Sequence, residues 1–184
     1  MKTWKKKNII RDEHYKEMQK KVDKCTVPSS IGKIPLKIES SFDGFTSDEF
    51  KNWTLIFSLY ALHGLMEKVH IDCWRLFVLA CVRICRKRIT TADIAVFDSL
   101  MLRFCKTFEE LYGSENTTPN MHLHLHMKEC LEDFGPVYGF WLFSFERYNG
   151  ILGKTNTNKR SVEFQIVEHF LREHYHANIP TRGD

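Results

Sequence analysis

From residue 46 onward the apolar side chains fall into periodic segments of helical length, and no stretch keeps the two-residue alternation of a strand. Thr46 followed by Glu49 has the spacing of a capping box, in which each side chain satisfies the other residue's backbone N–H, and it opens a helix over SDEFKNWTLIFSLYALHGL. A second helix is expected over about 70–87. Thr90 and Asp93 repeat the capping pattern and open a third, which stops at Gly113. The polar SENTTPN loop leads to a fourth near 121–134. Gly135-Pro136 breaks the chain before a fifth over about 137–152. The polar GKTNTNKR loop follows, and Ser161 caps a last helix running to about Tyr175. The pattern predicts an all-α fold of about six helices with no internal repeat.

The first 45 residues read differently. Residues 1–24 are highly charged and helix-prone, with Ile10, Met18 and Val22 widely spaced, while TVPSSIGKIPLKIESSFDGF carries two prolines, two glycines and four serines. The expected organisation is a basic helical segment and extended connector over 1–45 and a helical domain over 46–184. At 184 residues, 43% apolar and 13% aromatic, the chain has the material for one packed core. Its net charge of +4 is compatible with nucleic acid but too small to imply it. Six cysteines lie in apolar segments without CxxC spacing, and MKTWKKKNII has no apolar leader core. Reduced, buried thiols in an intracellular protein are therefore expected. The apolar run DCWRLFVLACVRIC is too short and too interrupted by arginine to span a bilayer, so no membrane is expected.

Two features carry candidate chemistry. In NMHLHLHMKEC, His122 and His126 are four residues apart and share a helix face, with Cys130 a further four along, while His124 points elsewhere. Two imidazoles can hold a metal but do not complete a site, and half-buried packing or surface histidines are the plainer reading. Glu146 stands alone in the aromatic run GFWLFSFERYNG. A carboxylate there is costly unless it is paired or binds a cation. A surface Glu-Arg pair is the plain alternative to a divalent-metal ligand. KKK at 5–7 and RKR at 86–88 read as solvated charge, with phosphate contact or a nuclear signal as the alternative. Cys81 and Cys85 read as core packing. The terminal RGD is set aside.

IGKIPLKI, GFTSDEFKNWTLIFSLYALHG, CWRLFVLACVRIC, TPNMHLHLHMKECLEDFGPVYGFWLFSFERYNGILG and NTNKRSVEFQIVEHFLR together resemble the C-terminal half of CACTA (En/Spm-type) transposases, over nearly the whole chain. GPVYGFWLFSFERYNGILG is the most specific block. The resemblance implies the helical insertion and C-terminal catalytic helix of an RNase H-like DDE transposase whose sheet-bearing part is absent. In that group two aspartates and a glutamate hold two Mg²⁺ or Mn²⁺ ions for DNA cleavage and strand transfer. The terminal acid matches Glu146. A histidine pair associated with structural Zn²⁺ matches His122 and His126. Lys154, Lys159 and Arg160, after the Glu146 helix, become candidate contacts to the DNA of transposon ends. A transposase multimer and a nuclear location are also implied.

The family's two aspartates lie upstream of the matched region, and Asp93, Asp98 and Asp133 match neither. Asp93 reads as a helix-start residue and Asp133 as a surface acid at a helix end. The expectation is therefore a partial chain, inactive alone. The alternative is a non-catalytic helical DNA-binding or protein-interaction module, domesticated or a degenerate remnant. A stand-alone metallohydrolase has too few acids and ligands in this sequence.

Overall fold

A computed structural model describes residues 2–28, 31, 34–40, 42, 44–154 and 160–177, with the backbone alone at 2, 143, 144, 146, 147, 151, 154, 173, 174, 176 and 177. The fold is all-α, with no strand among the described residues. The α-helices are α1 (Lys2–Lys6), α2 (Asp12–Asp23), α3 (Ser47–Asn52), α4 (Ser58–Leu62), α5 (Lys68–Ile84), α6 (Thr91–Tyr112), α7 (Pro119–Leu125), α8 (Met127–Phe134), α9 (Phe143–Lys154) and α10 (Val162–Ala177). They form two compact units, 1–141 and 142–184.

These ten α-helical segments among the described residues exceed the expected six for three local reasons. The charged N-terminal stretch forms α1 and α2. The helix expected after Thr46 is interrupted by a π turn over Trp53–Phe57, which separates α3 from α4. The helix expected near 121–134 breaks at His126, the junction between α7 and α8. The fifth expected helix also starts late. Val137–Gly139 is a short 3-10 turn, and α9 begins only at Phe143.

Helix starts follow from capping. Thr46 Oγ1 accepts from the Glu49 N–H at 3.3 Å, and Glu49 Oε2 accepts from the Thr46 N–H at 2.9 Å. Thr90 and Asp93 do the same at 3.2 and 3.0 Å. Each box satisfies donors that a helix N-terminus otherwise leaves bare. Gly113 ends α6 at φ 89°, a left-handed backbone that glycine adopts without a Cβ clash.

α5 and α6 pair as an antiparallel hairpin. His70 stacks against Tyr112 with ring centres 5.5 Å apart, Phe77 meets Phe104 at 5.1 Å, and Arg83 pairs with Asp93 at 3.1 Å near the turn. α7 and α8 pack on α6, where Leu131 is buried, the Cys105 thiol points to the Met121 carbonyl, and Lys128 meets Asp98 at 3.7 Å.

The described residues of 1–45 belong to the first unit. Trp4, Ile10, Tyr15, Met18, Val22, Ile38 and Phe42 are all buried in its core. Gln19, itself buried, fastens the connector to α2. Its Oε1 accepts from the Ile38 N–H at 2.8 Å, and its Nε2 donates to the Pro35 carbonyl at 3.3 Å and to Asp23 at 2.8 Å. Lys21 donates to the Ala61 and His63 carbonyls, at 3.2 and 2.6 Å, where α4 ends and its carbonyls lack helical partners. The Trp4 indole N–H donates to the Tyr112 hydroxyl at 2.8 Å, and that hydroxyl also shares a hydrogen bond with His70 Nδ1 at 2.9 Å.

No helix of the described residues is long and apolar enough to cross a membrane. All six cysteines are free.

Tyr112→Phe keeps the ring and removes the hydroxyl, leaving the buried Trp4 N–H without its acceptor. A loss of about 1–3 kcal/mol is expected, read by urea unfolding as a lower midpoint at unchanged slope.

Candidate functional site

Pro119 at the start of α7 fixes a helical φ where no N–H is needed, and the helix then carries His122 and His126 onto one exposed face. Their Nε2 atoms lie 3.3 Å apart, with ring centres 4.9 Å apart and planes at 75°. Glu129 Oε2, one turn further on, lies 3.2 Å from His126 Nδ1. The carboxylate can only accept, so the hydrogen bond to it is donated by His126 Nδ1–H. The two Nε2 atoms face each other at hydrogen-bond distance.

The spacing suits chelation. Two imidazole nitrogens held about 2.0–2.1 Å from one tetrahedral Zn²⁺ are separated by about 3.3 Å. A carboxylate on the far ring nitrogen is the usual outer partner of a zinc-bound histidine, fixing its tautomer and raising its basicity. The pair and Glu129 therefore fit half of a zinc site. No group of three or more His, Cys, Asp or Glu side chains arranged to hold a metal occurs among the described residues, so Cys130 does not join the pair.

His124 lies away from them. It is half-buried with its ring edge-on to Phe77 at 5.8 Å, and its Nδ1 is buried without a hydrogen-bond partner. Burial lowers its pKa.

Glu146 is the fourth residue of α9, within a turn of the helix N-terminus, where the helix dipole favours a carboxylate. Leu142 precedes the helix rather than forming part of it. Glu146 lies in the second unit and the histidine pair in the first. Lys154 is the last residue of α9, and Lys159 lies outside the described residues. Arg160 is exposed just before α10, its carbonyl accepting from Gln165 Nε2 at 2.5 Å.

The other acids are engaged elsewhere. Asp93 caps α6 and pairs with Arg83 at 3.1 Å and Arg86 at 3.7 Å. The Thr90 hydroxyl and N–H, with help from the two arginines, hold its carboxyl below the usual range. Asp98 faces Lys128, and Asp133 is exposed at the end of α8. The described residues do not by themselves make a hard-cation site of several carboxylates.

Cys81 and Cys73 are poor nucleophiles. Burial, with a neighbouring thiol, pushes Cys81 up to about 12 and Cys73 up to about 11. A groove of about 710 Å³ between α5 and α6 is lined by Lys68, Asp72, Arg75, Leu76 and Arg103 and contains none of the predicted site residues. Asp72 there pairs with Lys68 at 2.5 Å and Arg75 at 2.9 Å.

No family model, curated protein or solved structure matches the chain.

Sequence reasoning missed Glu129, although the H-x-x-E spacing from His126 puts the two side chains one helical turn apart. It also missed Tyr138 and Trp141, whose surroundings come from segments far away in the chain.

For His124 the pH dependence has a definite sign. The unfolded chain takes up a proton near pH 6.5, while the folded chain resists until a lower pH, so stability falls as pH drops through that window. His124→Leu removes the resisting group and the orphaned nitrogen together. The variant is expected to melt at or above the wild-type temperature at pH 7.5 and to gain on it steadily down to about pH 5.

Proposed function

We propose that this chain is the C-terminal segment of a CACTA-type DDE transposase, supplying Glu146 as the third catalytic acid and His122 and His126 to a structural zinc site. What carries the reading is the pairing of the two imidazoles at 3.3 Å in the helix that precedes the Glu146 block. The all-helical fold is compatible with the helical insertion and catalytic helix that the sequence resemblance implies.

On this reading each residue has a physical task. Glu129 orients His126, and the pair pins α7 to the metal, so that the zinc holds α7 and α8 to whatever supplies the remaining ligands. Glu146, on the first turns of a regular helix, is carried on a stiff element suited to presenting one acid at a fixed place. Lys154, Lys159 and Arg160 follow as phosphate-neutralising charges. With the two upstream aspartates, Mg²⁺ or Mn²⁺ would supply Lewis-acid stabilisation at the scissile phosphate. Among the described residues no cluster holds that pair of ions, and on this reading the segment is inactive by itself. DNA, a transposase multimer and a nuclear setting come with the reading.

A non-catalytic helical DNA-binding or protein-interaction module, domesticated or a degenerate remnant, is the rival. It is favoured by the engagement of Asp93 and Asp98 in ion pairs within the fold.

Two experiments separate them. In a chain joined to its upstream half, Glu146→Gln is expected to reduce Mn²⁺-dependent cleavage of transposon-end DNA to background without lowering the melting temperature. Cleavage equal to wild type removes Glu146 from the reaction. On the present chain, calorimetric titration with Zn²⁺ is expected to show one site. His126→Ala should lose it, and Glu129→Gln should weaken it by about tenfold. Unchanged binding by His126→Ala removes the zinc assignment.

A further inference from the structure

Three segments distant in sequence bring cations and aromatic rings together on the first unit. Lys51 Nζ, from α3, lies 5.6 Å from the centre of the Trp141 ring. Lys87 Nζ, from the α5–α6 turn, lies 5.9 Å from the centre of the Tyr138 ring. The two rings adjoin, with centroids 4.9 Å apart and planes tilted by 58°. Tyr138 is 50% exposed. Arg86 and Arg88 flank Lys87 on the same exposed turn.

The charge around the rings is unbalanced. Lys51 pairs with Asp48, and Arg83 and Arg86 share Asp93. Among the described residues, Arg83, Arg86, Lys87 and Arg88 at this turn share one carboxylate, Asp93, so the turn beside the rings is positive. Lysine contacts on exposed aromatic faces are weak and easily exchanged for a stronger pairing.

A nucleotide offers both halves of such an exchange: a flat base for the ring and a phosphate for the ammonium. An acidic protein would meet the charges, but it would have to set an aromatic side chain beside each carboxylate, whereas every nucleotide carries a base and a phosphate together. A duplex would present phosphates while keeping its bases stacked inside. An unpaired strand satisfies both.

We propose that this patch binds single-stranded nucleic acid, with bases stacked against Tyr138 and Trp141 and phosphates on Lys51, Lys87 and the flanking arginines. The site stands on the geometry of the first unit and does not depend on the transposase reading or on any metal.

The test is fluorescence anisotropy of the full chain with labelled oligothymidine, in EDTA, over a salt series. A duplex of the same length and an oligouridine strand are run beside it. Tighter binding of both unpaired strands than of duplex is expected. Tyr138→Ala and Trp141→Ala are each expected to weaken strand binding about tenfold. Trp141→Phe should retain most of it. Lys87→Ala, on an exposed turn where folding is not at stake, should reduce the logarithmic salt slope by about 0.7. Lys16→Ala, on the exposed side of α2, should change neither quantity. Circular dichroism melts identify any variant that fails to fold, and Lys87→Ala and Trp141→Phe then carry the test. The proposal is overturned if duplex binds as tightly as single strands, or if folded aromatic variants bind oligothymidine like the wild type.

Discussion

The pairing of α5 with α6 is the centre of the first unit: the π turn and α4 pack on α5, and α7 and α8 pack on α6. Phe77 and Phe104 meet across it, and Tyr112 closes its far end with one hydroxyl shared between His70 on α5 and Trp4 on α1. A single polar atom thereby joins the chain's beginning to a helix end more than a hundred residues later. The hydroxyl has two hydrogen-bond partners there, so the buried indole N–H is satisfied. On the other side, α7 and α8 lie along α6 and turn the His122–His126 face outward.

The same economy of polar contacts explains how a charged, proline-interrupted N-terminal stretch becomes part of a core. Gln19 supplies both a donor and an acceptor to a connector that has no regular structure of its own over 34–37. Lys21 covers the carbonyls left bare where α4 ends. Each long polar side chain does for an irregular backbone what the hydrogen-bond ladder does for a helix. That is why Pro35 and Ile38 lie buried in a segment whose composition reads as a loop.

What the sequence disclosed and what it withheld divide along the same line. Helix starts at Thr46 and Thr90 and the stop at Gly113 are local devices, written within four residues, and they were legible. The His122–His126 pairing is local too, since it needs only helical spacing. The burial of Trp4 and Tyr15 and the gathering of Lys51, Lys87, Tyr138 and Trp141 are set by partners far along the chain. No periodicity announces those. Glu129 is the instructive case: its spacing from His126 was readable, but its significance appears only once both histidines are seen to face one point. Glu146 is different again, because its oddity in an aromatic run is visible in the sequence while the tasks proposed for it depend on residues beyond this chain.

The π turn at Trp53–Phe57 has a consequence for how this chain compares in length with any kin. The buried residues before and after it come in pairs, Asn52 with Trp53, Phe57 with Ser58 and Ala61 with Leu62, so the first step along the helix is five residues and the second four. At 3.6 residues per turn a five-residue step throws the second pair roughly 140° off the first, and the wider turn absorbs the surplus. The helix therefore carries a spare residue. A chain one residue shorter between Trp53 and Phe57 would wind as unbroken α-helix with the same three pairs facing inward, which makes this turn the place where a single-residue gap disturbs the fold least.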